Sequence, residues 1–237
     1  MGSTTRYHRS ETFLLGDHYE YLDGYMPFSL ISVFLAPTGK AAITTDCVAA
    51  VTSPGGPAGL AIDTSRSTVW IADYLKNAVQ EVDANTCALI RIVGTQTGPD
   101  GVAVDGNRVV WVTNLLSNSV SKIDGGTGSY LATIPVGTNP RGIVWNGSSN
   151  YLYVANYGSK SVTRINPSNN STYTVSTGYS GPYFMGVSPT DFSVWVANRD
   201  SNNVMMLDPY TLTVTHVIST DSQPQYITSD GANMWVS

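Results

Sequence analysis

The chain has 237 residues, 42% of them hydrophobic, enough for one large domain core or two small ones. Charged residues make up 12%, about half the usual globular share of about 25%, so Ser, Thr, Asn and Gly must carry solubility. The net charge of −5, with no Lys/Arg cluster, argues against a nucleic-acid partner, because non-specific binding to nucleic acid rests on phosphate neutralisation.

Residues 1–28 differ from the rest. Arg6, His8, Arg9, Glu11, Asp17, His18, Glu20 and Asp23 crowd there with Tyr7, Tyr19, Tyr21 and Tyr25. This segment reads as an N-terminal arm or docking segment, and it offers a route to self-assembly. No basic-then-apolar layout of a signal peptide is visible. The longest uncharged apolar stretch, 26–37, is too short to span a bilayer, so no membrane insertion is expected. The polar palette favours a secreted, cell-surface or virion protein. The two cysteines, Cys47 and Cys87, allow at most one disulfide, and free thiols are the expectation.

From residue 57 onward the chain repeats. Pro57, Pro99, Pro140, Pro182 and Pro224 recur at a period of about 42 residues. Each opens an apolar run: Pro-Ala-Gly-Leu-Ala-Ile, Pro-Asp-Gly-Val-Ala-Val, Pro-Arg-Gly-Ile-Val, Pro-Tyr-Phe-Met-Gly-Val and Pro-Gln-Tyr-Ile. An aromatic strand follows, carrying in turn Trp70, Trp111, Tyr153, Trp195 and Trp235. A third strand ends at Asp83, Asp124, Asn166 or Asp208, and a fourth completes the unit. Helical periodicity is absent, and Gly, Pro and Asn punctuate every few residues. Four strands per unit at this period predict an all-β fold, a β-propeller of four-stranded antiparallel blades over residues 29–237. The last unit stops at its second strand, while 32–45 (SVFLAPTGKAAITT) matches the second half of a unit. Five blades are therefore expected, one of them shared between N- and C-terminal strands, which would hide its edges.

The strands Trp-Val-Thr-Asn at 111–114 and Tyr-Val-Ala-Asn at 153–156 resemble the YVTN family of propeller repeats, and are close to NHL repeats too. The resemblance covers about residues 57–237 and implies the fold, not an activity. Members of that family are often seven-bladed, so a count of five departs from the common pattern.

The five aromatics are expected to pack between blades, and the acids and amide closing strand three to start Asx turns. Function is sought where repeats disagree. One variable slot follows each repeat proline: Ala58, Asp100, Arg141, Tyr183, Gln225. A second follows the aromatic strand: Asp73-Tyr74, Asn114-Leu115, Asn156-Tyr157, Asn198-Arg199. Strand direction alternates within an antiparallel blade, so both slots fall on one edge, around the mouth of a central channel. The predicted ligand-binding residues are Asp100, Arg141, Tyr157, Tyr183, Arg199 and Gln225, and the predicted ligand is a protein or glycan. No cofactor, metal or catalytic residue is assigned. The alternatives are a structural subunit of an assembly and a metal-dependent lyase or lactonase. Virginiamycin B lyases, which resemble this chain in repeat architecture, use His and Glu at a metal-bearing mouth; neither type stands in these slots. Asp73, Asp100, Asn114, Asn156 and Asn198 could imitate the oxygen set of SMP-30-like lactonases.

Overall fold

The computed structural model describes residues 56–237. The expected arm 1–28, the half-repeat 32–45 and Cys47 lie outside the described residues. Cys87 is disulfide-bonded, which corrects the expectation of a free thiol there.

The described residues form four four-stranded sheets and one two-stranded sheet, each strand pairing with its sequence neighbour. The first holds β1 (Pro57–Asp63), β2 (Thr68–Asp73), β3 (Ala78–Asp83) and β4 (Leu89–Gly94). The second holds β5 (Pro99–Val104), β6 (Val109–Asn114), β7 (Ser119–Asp124) and β8 (Tyr130–Pro135). The third holds β9 (Pro140–Asn146), β10 (Tyr151–Asn156), β11 (Ser161–Ile165) and β12 (Thr172–Ser176). The fourth holds β13 (Pro182–Val187), β14 (Val194–Asn198), β15 (Asn203–Leu207) and β16 (Val214–Ser219). The last sheet pairs β17 (Ile227–Ser229) with β18 (Met234–Val236). All pairings within these sheets are antiparallel, as the repeat requires.

Apart from one cluster within the first sheet (Val69, Ile71, Val82 and Ala84), the cores are shared between sheets. Trp70 and Val79 of the first pack with Val102, Val112 and Ile123 of the second. Trp111 and Val120 of the second pack with Ile143, Val154 and Ile165 of the third. Tyr153 and Val162 of the third pack with Met185, Val196 and Met205 of the fourth. Successive sheets therefore lie face to face, each burying its neighbour's apolar stripe. Trp70, Trp111 and Tyr153 are fully buried, as their repeat position predicts. Trp195 and Trp235 are not. Trp195 is half-buried beside Ile227 and Met234, and Trp235 is 55% exposed, its indole N–H donating to Asp230 at 2.9 Å. No further sheet among the described residues packs on β18 to cover it.

The Asx turns form as expected. Asp83, Asp124 and Asp208 each accept from the backbone N–H groups two and three residues on, and Asn166 from the one two residues on. Their carbonyls serve a second purpose. Lys122 on β7 lies over the Trp111 ring and donates to Pro167 O at 2.8 Å and Asn170 Oδ1 at 2.9 Å, in the turn of the next sheet. Arg164, one unit on, donates to Tyr210 O in the turn after that. In the first sheet the same position is Glu81, fully buried, which gathers Arg91 at 2.7 Å and Arg66 at 3.6 Å. Those two arginines then reach Gly125 O and Gly126 O. A cation thus latches each of the first three sheets to the turn of the next.

Candidate functional site

The first strand of each four-stranded sheet starts at a repeat proline, and the residue before three of these prolines has a positive φ: Gly98 (φ 70°), Asn139 (φ 48°), Gly181 (φ 71°). These are residue types that tolerate that conformation. Pro99 pairs with Asn114, Pro140 with Asn156 and Pro182 with Asn198. Both variable slots therefore share one edge, as strand direction requires. A register shift follows each proline, between Pro99 and Val102 and between Pro182 and Met185, and such bulges re-aim the side chains within them.

The residue after the slot sets how closely inner strands approach. A Cβ on Gly59 would stand 2.4 Å from Asp100 O, one on Gly101 2.4 Å from Arg141 O, and one on Gly142 2.7 Å from Tyr183 O. Only hydrogen fits at these seams. Thr113 ties the second seam, accepting from Gly101 N at 2.7 Å and donating to Arg141 O at 2.6 Å. The fourth seam is built differently. Phe184 replaces the glycine and packs its ring 4.7 Å from that of Tyr226. The glycine reappears two residues on as Gly186, beneath Ile227 and Met234.

This spacing brings five of the six predicted residues together. Arg141 Nη1 lies 3.4 Å from Asp100 Oδ2 and 3.3 Å from the Tyr183 hydroxyl. Its guanidinium sits over the Tyr183 ring at 4.7 Å and the Tyr157 ring at 5.4 Å. Arg199 flanks Tyr183 at 5.7 Å and donates to Gln223 Oε1 at 3.3 Å. Tyr157 meets Tyr183 edge-on at 6.0 Å, and Tyr183 continues to Phe184 at 5.7 Å. Gln225 is half-buried, bonds the Ser237 carbonyl through its backbone N–H at 2.7 Å, and is not joined to this chain of contacts. Ala58 packs into the core beside the first seam.

Variable positions at strand ends are ordinarily solvated, yet Asp100 and Tyr183 are each only 9% exposed. Burial pushes the Asp100 carboxyl up, and the Arg141 charge opposes that rise without overcoming it. The Tyr157 phenol is raised by its hydrogen bond to the Asp200 carboxylate and by burial. Sequence reasoning missed Phe184, Asp200, Gln223 and Tyr226. The signal for two of them was present: Pro-Tyr-Phe and Pro-Gln-Tyr break the Pro-x-Gly pattern.

The oxygen set that could imitate a lactonase metal site is partly tied into the sheets, although Asn156 Oδ1 and Asn198 Oδ1 are buried with no hydrogen-bond partner. Asn114 donates from Nδ2 to Ser119 and Ser121, Asn156 to Ser161 and Thr163, and Asn198 to Asn203, all fully buried within their own sheets. Asp73 accepts instead, from Gln80 at 2.8 Å. Asp100 faces a guanidinium. Among the described residues no group of three or more His, Cys, Asp or Glu is placed to hold an ion. His216 lies on exposed β16.

No family model and no curated protein matches the chain. Solved structures do. Hydrazine synthase of Kuenenia stuttgartiensis superposes with a TM-score of 0.67 at 21% identity, over 83% of this chain and 55% of that one. A catalytically inactive virginiamycin B lyase from Staphylococcus aureus, solved with quinupristin, gives 0.69 at 15%, over 79% and 64%. A nidogen/laminin complex gives 0.66 at 17%, over 77% and 72%. The chain thus spans between about half and three quarters of the lengths it matches. These likenesses show the fold, a β-propeller, which serves binding in some proteins and catalysis in others.

Proposed function

We propose that this propeller is a binding module that recognises a protein or glycan through the channel-mouth face, at a cell or virion surface. The observation that carries the reading is the stack of Arg141 and Arg199 on Tyr183, continued by Phe184 and Tyr226. Arg and Tyr dominate binding hot spots because they offer large contact area and several donors at modest entropic cost. Here they come from neighbouring sheets onto one arc. The disulfide at Cys87 suits the oxidising compartment that a surface protein occupies. Self-assembly through residues 1–28 is a further proposal; solution mass with and without that arm tests it.

The test of the mouth is capture of partners from a surface fraction on the immobilised full chain. Arg199→Ala and Tyr226→Ala should each weaken retention by about 1–3 kcal/mol, with little change in Tm. Arg108→Ala and Tyr210→Ala, exposed positions in turns away from the repeat prolines, are the controls. Equal losses at the controls would reject the mouth. Lys122 and Arg164 are unsuitable as controls because both latch neighbouring sheets. A stoichiometric divalent ion in the purified protein, read by mass spectrometry, would favour a metal-dependent lyase or lactonase instead.

A further inference from the structure

We propose that the mouth takes an acidic saccharide, a chain of carboxylate-bearing sugars whose rings stack on Phe184 and Tyr226 while a carboxylate is held by Arg199. This rests on the binding reading above and names its ligand class.

Three observations point there. The first is the aromatic arc. Rings from the third, fourth and fifth sheets follow one another, Tyr157 to Tyr183 to Phe184 to Tyr226, with centroids 6.0, 5.7 and 4.7 Å apart. Tyr226 at its end is 45% exposed, and Phe184 is half-buried. The partly open rings of Phe184 and Tyr226, backed by buried Tyr183, suit a ligand with apolar faces and polar edges, which is what a pyranose chain presents. The repeat's own logic would place glycine at 184, so the pair is an addition to the framework.

The second is the state of the arginines. Nε of Arg141 and Nε of Arg199 have no hydrogen-bond partner in the protein and are shielded from solvent. A cationic donor left so is costly until it finds an acceptor. Arg141 already faces Asp100, so it serves as a positioning group that fixes Tyr183. Arg199 is held by uncharged side chains, Gln223 at 3.3 Å, the Tyr183 ring at 5.7 Å and the Tyr157 hydroxyl. A turn of its side chain offers Nε–H and Nη2–H side by side, the fork that a carboxylate accepts.

The third is scale and polarity. A stable protein interface needs roughly 800 Å² from each partner, whereas this arc is a few side chains at inner-strand ends. Its neighbours Gln223 and Asp200 offer donors and acceptors for hydroxyls. A neutral sugar would leave the arginine Nε–H groups unanswered.

The experiment is calorimetric titration of the full chain with a defined oligogalacturonate, its methyl ester, and an acidic peptide carrying aromatic residues. The oligouronate should bind saturably. The ester, with the same rings but no charge, should bind about tenfold or more weakly, the loss of one charge-assisted bond pair. Arg199→Gln should remove the preference for acid over ester. Tyr226→Ala should weaken acid and ester alike. Both sites are at the surface, and an unchanged Tm confirms folding. Equal binding of acid and ester, with Tyr226→Ala weakening both, overturns the acidic class and leaves the mouth as the binding face. Binding of the peptide in place of both saccharides, lost in Arg199→Gln, does the same. Oligouronate binding that neither variant alters overturns the mouth itself. Failure of both saccharides to bind overturns the ligand class, and the capture comparison then judges the mouth independently.

Discussion

Truncating Trp111 removes an indole that is fully buried between the second and third sheets and donates to Asp105 at 3.0 Å. Trp111→Ala should cost about 3–5 kcal/mol in denaturant unfolding. Trp235→Ala, at the equivalent repeat position but 55% exposed, should cost under about 1 kcal/mol. Equal losses would mean that Trp235 is covered. Arg141 was a loop residue by sequence, for which near-neutral truncation is the natural expectation. Its contact with buried Asp100 changes that. Arg141→Ala leaves a carboxyl without its counter-charge and should cost about 1–3 kcal/mol, a loss largely recovered when Asp100→Ala is added. Strict additivity in the double variant would show that the two are uncoupled. The Asx-turn acids act in the opposite sense. Asp83, Asp124 and Asp208 are held below the usual carboxylate range, chiefly by backbone N–H donors. A depressed folded pKa favours the folded chain at pH above the ordinary carboxylate value, and that contribution is lost as pH falls through the folded one. Asp208→Asn should therefore flatten the acid limb of the stability curve, since Asn166 already fills this position in the third sheet. An unchanged acid limb would remove these turns from the account.

Among elements, the third strands decide how sheets hold one another. The cation on β7 or β11 reaches across to the next sheet's turn, and in the first sheet Glu81 delegates that task to Arg66 and Arg91. Glu81→Gln strands two arginines at a buried site and should cost about 3 kcal/mol, near the low end for breaking a buried pair because both arginines are partly solvated. Comparable stability for Glu81→Gln and wild type in denaturant melts would show that the arginines hold the turn unaided. Strand identity and order were readable from the repeat because period-two alternation and turn residues recur every unit. The latches were not, since a lone Lys, Arg or Glu in a strand looks solvated until its neighbour sheet is placed. The same holds for the seam. Pro-x-Gly announces a tight turn or a close approach, and only the packed sheets show that the glycine's neighbour is the backbone of the next inner strand. The predicted arc of Asp100, Arg141, Tyr157, Tyr183 and Arg199 was legible because slots that vary within a fixed frame map to one edge. Its extension through Phe184 to Tyr226 required the seam.

At the scale of the whole molecule, the sequence predicts that 32–45 supplies the outer strands beside β17 and β18. On that proposal, deleting residues 1–45 should abolish cooperative unfolding or cause aggregation. A truncated chain that is as soluble and as cooperative as the full one would refute it. The seams carry a different implication, for how such a chain can be rebuilt. Gly59, Gly101 and Gly142 each meet the backbone of the following unit, so at those three glycines the joint is made with main chain. The second and third units, 99–139 and 140–181, are in that respect alike, and a chimera with their order reversed keeps the glycine-to-backbone approach at their borders while losing the Arg141–Asp100 contact. The fourth unit is not portable. Moved upstream, it would press Phe184 against a neighbour's backbone where a hydrogen atom alone has room. One aromatic side chain thereby gives a repetitive chain a marked position, and with it a sense of which unit must come last among the four.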